Sequence, residues 1–238
     1  MEISRYKIAD LIVDMAARFD MLQQRAKPYL YEFEGDADIR IYISDERLLK
    51  LHKTNPTLSP ADCEYMLAGS DFYYALLEHD GFMLHASAVM RDGRAYLFSA
   101  PCGTGKSTHT QLWKKAFLDA QILNDDKPAV RCIDGKLYAY GSPFSGKHDM
   151  STNVRANLVG IAFIERSKDN YIEPILDTHE ALRRILEQTI RPNDAVRMTK
   201  LLGYMDELIT KIPVYLFRCN ISEQAAKIAY EGMRGHEA

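Results

Sequence analysis

The 238-residue chain is poor in cysteine, with four in all, and no two of them form a C-x-x-C pair. Cys63, Cys102, Cys132 and Cys219 lie far apart, so neither a structural zinc site nor a disulfide framework is expected. Long apolar runs are also missing. No segment approaches the roughly 18 uninterrupted apolar residues that mark a spanning helix, which argues against a membrane protein. The opening residues MEISRYKIAD carry acids and lack an apolar stretch, unlike a signal peptide, so a soluble cytoplasmic protein is expected. Nor is positive charge in excess: 30 Lys and Arg against 33 Asp and Glu leave a formal net charge of −3, which disfavours general attraction to nucleic acid or an anionic membrane. Internal repeats, low-complexity tracts and Gly/Ser- or Pro-rich linkers are absent. What remains is a globular composition, 47% hydrophobic and 26% charged, in a chain long enough to bury the core of a single mixed α/β unit.

The most informative stretch is Leu97 to Thr110, LFSAPCGTGKSTHT, where an apolar strand runs into a glycine-lysine-serine turn and then a helix. Such a turn can point successive backbone N–H groups at phosphate oxygens, and the helix adds its positive N-terminal end. Gly103, Thr104, Gly105, Lys106, Ser107 and Thr108 are the candidate nucleotide-binding residues. Lys106 would neutralise the β- and γ-phosphates, and the Ser107 hydroxyl would face Mg²⁺. The strict G-x-x-x-x-G-K-[ST] pattern is missed by one residue, because Ala100 stands where the first glycine belongs. Cys102 lies inside the turn, where a reactive thiol and a small space-filling residue are the two readings.

Two hairpins frame this loop. Leu84 to Met90 and Arg94 to Ser99 flank Asp92-Gly93, a favoured type I′ pair, and that register sets His85 opposite Ala100 at the mouth of the loop. Ala129 to Ile133 and Lys136 to Tyr140 flank Asp134-Gly135, which returns the following segment GSPFSGK, Gly141 to Lys147, to the neighbourhood of Asp126. Elsewhere, Ile39, Ile41 and Ile43 alternate as in a half-buried strand over 38–44, and Ser59-Pro60 opens a helix. The apolar run 158–164 fits a buried strand. Asp177 and Glu180 have capping-box spacing, and further elements are expected as a helix over 194–210, a strand over 213–219 and a last helix from Ser222. The C-terminal helices read as packing. The segment 1–80 carries no recognisable ligand chemistry and reads as a subdomain extending the sheet or covering a core that spans 81–238.

Gln121 to Asp126, QILNDD, is a short apolar strand that ends in two carboxylates. One carboxylate can hold Mg²⁺ while the other accepts the proton of an attacking hydroxyl. A solvated turn is the alternative, but Asp126 follows Lys106 closely, with a single helix between them, which makes the acidic pair a candidate partner of the loop.

Closely spaced GTGKST and DD, with His85 on a hairpin strand upstream of Lys106, resemble the HPr kinase/phosphorylase catalytic domain and, less closely, phosphoenolpyruvate carboxykinase. The resemblance covers Gly81 to Lys147. It implies an α/β fold of that P-loop kinase type, with a mixed sheet and flanking helices, and an ATP- and Mg²⁺-dependent transfer of the γ-phosphate to a hydroxyl of a peptide, protein or small metabolite. It also implies roles: Lys106 and Ser107 on phosphate and metal, Asp125 on the metal with Ser107, Asp126 as base, and His85 positioning that base or the acceptor. Lys147 could clamp the transferring group as a mobile cation, with a solvated turn lysine as the alternative, and for His85 the alternative is a buried histidine satisfied by backbone. Related kinases assemble into rings, so a homo-oligomer follows by analogy. Thr108 stands where those kinases carry glutamate, and their arginine- and glycine-rich C-terminal signature is not found, so recognition of HPr itself and the phosphorylase activity are not carried over. A carboxykinase-like enzyme and a non-catalytic ATP-binding sensor are the competing readings.

Overall fold

The computed structural model describes residues 3–234; Met1 and Glu2, which open the segment compared above with a signal peptide, lie outside them. The chain opens with a hairpin, β1 (Ser4–Ile8) and β2 (Leu11–Met15), whose turn is made by Ala9 and Asp10 at φ 53° and 60°. Alternate residues Tyr6, Ile8, Leu11, Val13 and Met15 are buried, the period of a strand with one face on a core. After helix α1 (Asp20–Ala26), β3 (Ile39–Ile41) joins β2 in parallel. Ile39, Ile41 and Ile43 are all buried as their alternation requires, although the paired strand stops at Ile41 because Ser44 already caps helix α2 (Asp45–Thr54). Helix α3 (Pro60–Leu76) starts as a capping box: the Ser59 hydroxyl accepts from Asp62 N, and the Asp62 carboxylate accepts from Ser59 N. These three strands form their own sheet and do not pair with the larger one.

Among the described residues the larger sheet has nine strands. The first six are β4 (Gly81–Met83), β5 (Ala86–Arg91), β6 (Arg94–Ser99), β7 (Gln121–Asn124), β8 (Ala129–Ile133) and β9 (Lys136–Tyr140), with helix α4 (Lys106–Ala116) between β6 and β7. Both hairpins have the expected register, Arg91 opposite Arg94 and Ile133 opposite Lys136. Asp92, Gly93, Asp134 and Gly135 all have positive φ, as type I′ turns demand. The long strand β10 (Arg155–Arg166) follows, then β11 (Tyr171–Pro174), helices α5 (Thr178–Glu187) and α6 (Ala195–Lys211), β12 (Val214–Cys219) and helix α7 (Glu223–Arg234). Strand β10 pairs antiparallel with β9 through its first residues and parallel with both β6 and β12 further on, so the sheet is mixed around a parallel centre.

Alternation along β6 separates the two faces of this sheet. Ala95 and Leu97 pack with Ile185 of α5 and Leu201, Met205 and Leu208 of α6. Tyr96 and Phe98 pack with Trp113 of α4 and Ala226 and Ala229 of α7. The result is a helix–sheet–helix sandwich in which β6, β10 and β12 end their carboxyl termini on one side. A third core, holding Tyr6, Phe72 and Phe144, joins the N-terminal strands to the 141–149 segment. The Asp177 cap differs from expectation: its carboxylate accepts from His179 N and Glu180 N, but Glu180 turns to Arg184 and does not return to the cap.

Candidate phosphate-binding and acidic site

Strand β6 ends at Ser99, and residues Ala100 to Gly105 turn the chain directly into α4. Gly103 and Gly105 sit at φ 78° and 126°, and a Cβ built on either would meet nothing within 4 Å. The loop backbone therefore borders open space at the two positions where a phosphate would need to approach closely. Lys106, the first residue of α4, is buried and donates from Nζ to Ala100 O at 2.8 Å, so its side chain folds back across the loop. Ala100 itself is fully buried and packs in the core beside Phe98, a setting a methyl group suits. Burial lowers the Lys106 pKa, with the charges of Asp126, Cys102 and Asp125 opposing that shift. Ser107 is half-buried and Thr108 exposed, and Cys102 is exposed at the rim.

The acidic pair follows from an Asn-based turn. Buried Asn124, the last residue of β7, accepts from Asp126 N at 3.0 Å and Lys127 N at 2.8 Å, which bends the chain and sends the two carboxylates in different directions. Asp125 accepts from the Ser87 hydroxyl at 2.7 Å and from Ser107. Its pKa is raised, chiefly by burial, with those two hydroxyls acting against the rise. Asp126 is the reverse case. Burial would push it up, but the His85 hydrogen bond and the Lys127 ion pair outweigh burial and hold it down at about 2. Two carboxylates adjacent in sequence thus have opposite electrostatic characters.

His85 stands where the hairpin register puts it: Ala86 pairs with Ser99, and the Ser99 hydroxyl donates to His85 O at 2.8 Å. Its Nε2 lies 3.3 Å from Asp126 Oδ1, and its Nδ1 lies 3.0 Å from Gln188 Oε1, just past the end of α5. The backbone adds a second tie, His85 N to Gln188 O at 2.7 Å. Sequence reasoning misses Gln188, because it follows a packing helix and nothing local marks it as a partner of a distant histidine.

A cavity of about 770 Å³ gathers His85, Lys106, Ser107, Asp125, Asp126 and Lys147. Met21, Arg25, Leu58, Asp62, Tyr65 and Met66 of the 1–80 segment line the same cavity, so this region does carry ligand-capable chemistry that its sequence does not betray. Arg25 stacks its guanidinium 4.6 Å above the Tyr65 ring and donates to Gly146 O at 2.6 Å. The Tyr65 hydroxyl accepts from Gly146 N at 3.2 Å. Gly146 has φ 77°, and a Cβ there would lie 2.7 Å from Asp126 Cβ. The 141–149 segment is therefore pressed against the base candidate by two side chains from the N-terminal region. Lys147, next in the chain, is exposed at the cavity rim.

No group of three or more His, Cys, Asp or Glu side chains among the described residues is arranged to hold a metal ion. That donor set still fits Mg²⁺ held jointly with a nucleotide, because Mg²⁺ takes one or two protein oxygens and completes its shell with phosphate and water. The buried Asp125 carboxylate and the adjoining Ser107 hydroxyl are two such oxygens. No helix among the described residues is long and apolar enough to cross a membrane.

No family model matches the chain, and no curated protein does. Among solved structures it is similar to the Hpr(Ser) kinase/phosphatase from Coxiella burnetii, at 11% identity and a TM-score of 0.38, with 64% of this chain and 99% of that one covered.

Proposed function

We propose that the protein is a phosphotransferase that passes the γ-phosphate of ATP to a hydroxyl, with serine of a peptide, a protein or a small metabolite as the acceptor class. The observation that carries this reading is the convergence of Lys106, Ser107, Asp125, Asp126 and His85 on one cavity beside a glycine turn whose backbone borders open space. Mg²⁺, when bound by Asp125 and Ser107, would supply charge neutralisation for the phosphates. The loop amides and the start of α4 bind phosphate oxygens, and Lys106 places its charge beside them.

Asp126 faces the same cavity as a carboxylate and takes the proton of the acceptor hydroxyl. The acceptor oxygen then bonds to phosphorus as the β–γ bridging bond breaks and ADP leaves. A carboxylate held near a pKa of about 2 is a weak base, which suits phosphoryl transfer, where the proton moves late and positioning dominates. His85, held by Gln188, keeps the Asp126 carboxylate pointed into the cavity. The 1–80 segment acts as the acceptor-facing subdomain, with Arg25, Asp62 and Tyr65 lining the cavity.

The test is transfer of label from γ-labelled ATP with Mg²⁺ to free serine, serine-containing peptides and HPr. Labelled acceptor that disappears with Lys106→Ala supports the reading. ATP binding without transfer to any acceptor in the pool would count against it and favour a nucleotide sensor.

A further inference from the structure

A second cavity, of about 530 Å³, shares Gly103, Gly105 and Thr108 with the first, so the glycine turn is a wall common to both. It opens where β6, β10 and β12 end, the crevice outside the carboxyl ends of parallel strands where open α/β sheets take ligands. Its walls are mostly apolar: buried Leu112, Ile164 and Cys219, with Ile221 at the rim and 80% exposed. Arg166 fixes the turn on this side, donating from Nε to Thr104 O at 3.0 Å and from Nη2 to Gly103 O at 2.5 Å.

His109 is the buried polar side chain in this lining, which also holds the more exposed Arg166, Ser167 and Asn220, and the phosphate chemistry leaves it unused. It is 3% exposed, and its Nε2 accepts from Trp113 Nε1 at 3.0 Å. The ring proton must therefore reside on Nδ1, and among the described residues that buried N–H has no hydrogen-bond partner. Phe98 and Phe217 hold the imidazole edge-on at 4.4 and 5.0 Å between centroids, so it cannot easily turn away. A largely apolar slot with one buried, unpartnered N–H donor and polar side chains at its mouth, next to a phosphate cradle, has the chemistry of a site for a flat heteroaromatic ring with an acceptor nitrogen.

We propose that this second cavity holds the nucleoside end of the nucleotide, with a purine base lying between Leu112 and Ile221 and a ring nitrogen accepting from His109 Nδ1. The assignment rests on the phosphate-loop reading above and adds a residue that reads the base. Trp113 is the only tryptophan in the chain and is bonded to His109, so it reports on the site directly.

The experiment compares binding of ATP and of inorganic triphosphate, each with Mg²⁺, by calorimetry in the wild type, Ile221→Ser and His109→Phe, and by Trp113 emission in the wild type. ATP is expected to bind at least about tenfold more tightly than triphosphate, because only it engages the base site. It alone should shift the Trp113 emission. Each substitution should cut ATP affinity towards that of triphosphate and leave triphosphate binding unchanged. Ile221 is exposed, so its variant keeps the test open if His109→Phe fails to fold. Equal wild-type affinities for the two ligands, or an ATP preference that survives both substitutions, would overturn the base site while leaving the phosphate loop standing. Failure of both ligands to bind the wild type would overturn the loop reading and this inference with it.

Discussion

His85 Nε2 lies 3.3 Å from Asp126 Oδ1, and the same imidazole is anchored at Nδ1 by Gln188 Oε1 at 3.0 Å. One ring thus ties the end of a C-terminal helix to the carboxylate that would accept the substrate proton. Its removal releases both the orientation and part of the charge stabilisation of Asp126. His85→Ala should raise the Asp126 pKa from about 2 towards the ordinary carboxylate value, since the His85 hydrogen bond lowers it. A carboxyl ¹³C titration of Asp126 should show the rise, and the transfer rate should fall by about 10². An unmoved titration would break the link.

Asp126 also predicts an acid-stability difference. Its folded pKa is depressed, so its stabilising contribution is present above the unfolded value near 4 and is lost as pH falls through about 2. The amount is on the order of 2 kcal/mol. Urea unfolding between pH 4 and pH 2 should show a steeper loss of stability for the wild type than for Asp126→Asn.

Asp125 has the opposite sign. Its folded pKa is raised by burial, so the stability linked to it is present below the unfolded value near 4 and is lost as pH rises through the folded value. At pH 7 the ionised group is a cost. Asp125→Asn should raise the melting temperature at neutral pH and should reduce the further stabilisation by Mg²⁺ with ATP. A lower melting temperature for the variant would contradict this electrostatic account.

Gly146→Ala meets two obstacles together, a φ of 77° and a Cβ placed 2.7 Å from that of Asp126. The expected cost is about 1–3 kcal/mol of stability, with displacement of the Asp126 side chain. Transfer activity should fall much further than ATP affinity, and the comparison of the two constants is the check.

Arg25→Ala removes the N-terminal grip on Gly146 O. Because Arg25 lines the cavity through its bond to the 141–149 segment and makes no bond to the glycine turn, the change should raise KM for the acceptor by about tenfold and leave KM for ATP within about twofold. Equal effects on both constants would place Arg25 outside the acceptor wall.

Much of this architecture is legible from short-range signals. Asp92-Gly93 and Asp134-Gly135 announce their hairpins because glycine takes the positive φ of the turn, and the first of these registers puts His85 opposite Ala100. The Ala9-Asp10 hairpin uses the same backbone geometry without glycine, so its residues do not announce it. Lys106, Ser107, Asp125 and Asp126 stand out because loop and acidic pair lie close in sequence. Gln188, Arg25 and Tyr65 do not, because each reaches the site only through packing of distant elements: α5 ends under His85, and α1 and α3 lean on the 141–149 segment. His109 is hidden differently. It sits inside the motif, but its significance lies in Trp113 occupying one nitrogen and leaving the other.

The proposed mechanism assigns Asp126 to the transfer step and gives it little part in nucleotide binding. Two constants measured side by side in Asp126→Asn and wild type separate those roles: the ATP dissociation constant and the rate of γ-phosphate transfer to an accepted hydroxyl. The expected result is an ATP affinity within about threefold of wild type and a transfer rate lower by about 10² or more. A variant that transfers phosphate at the wild-type rate would remove Asp126 from the mechanism.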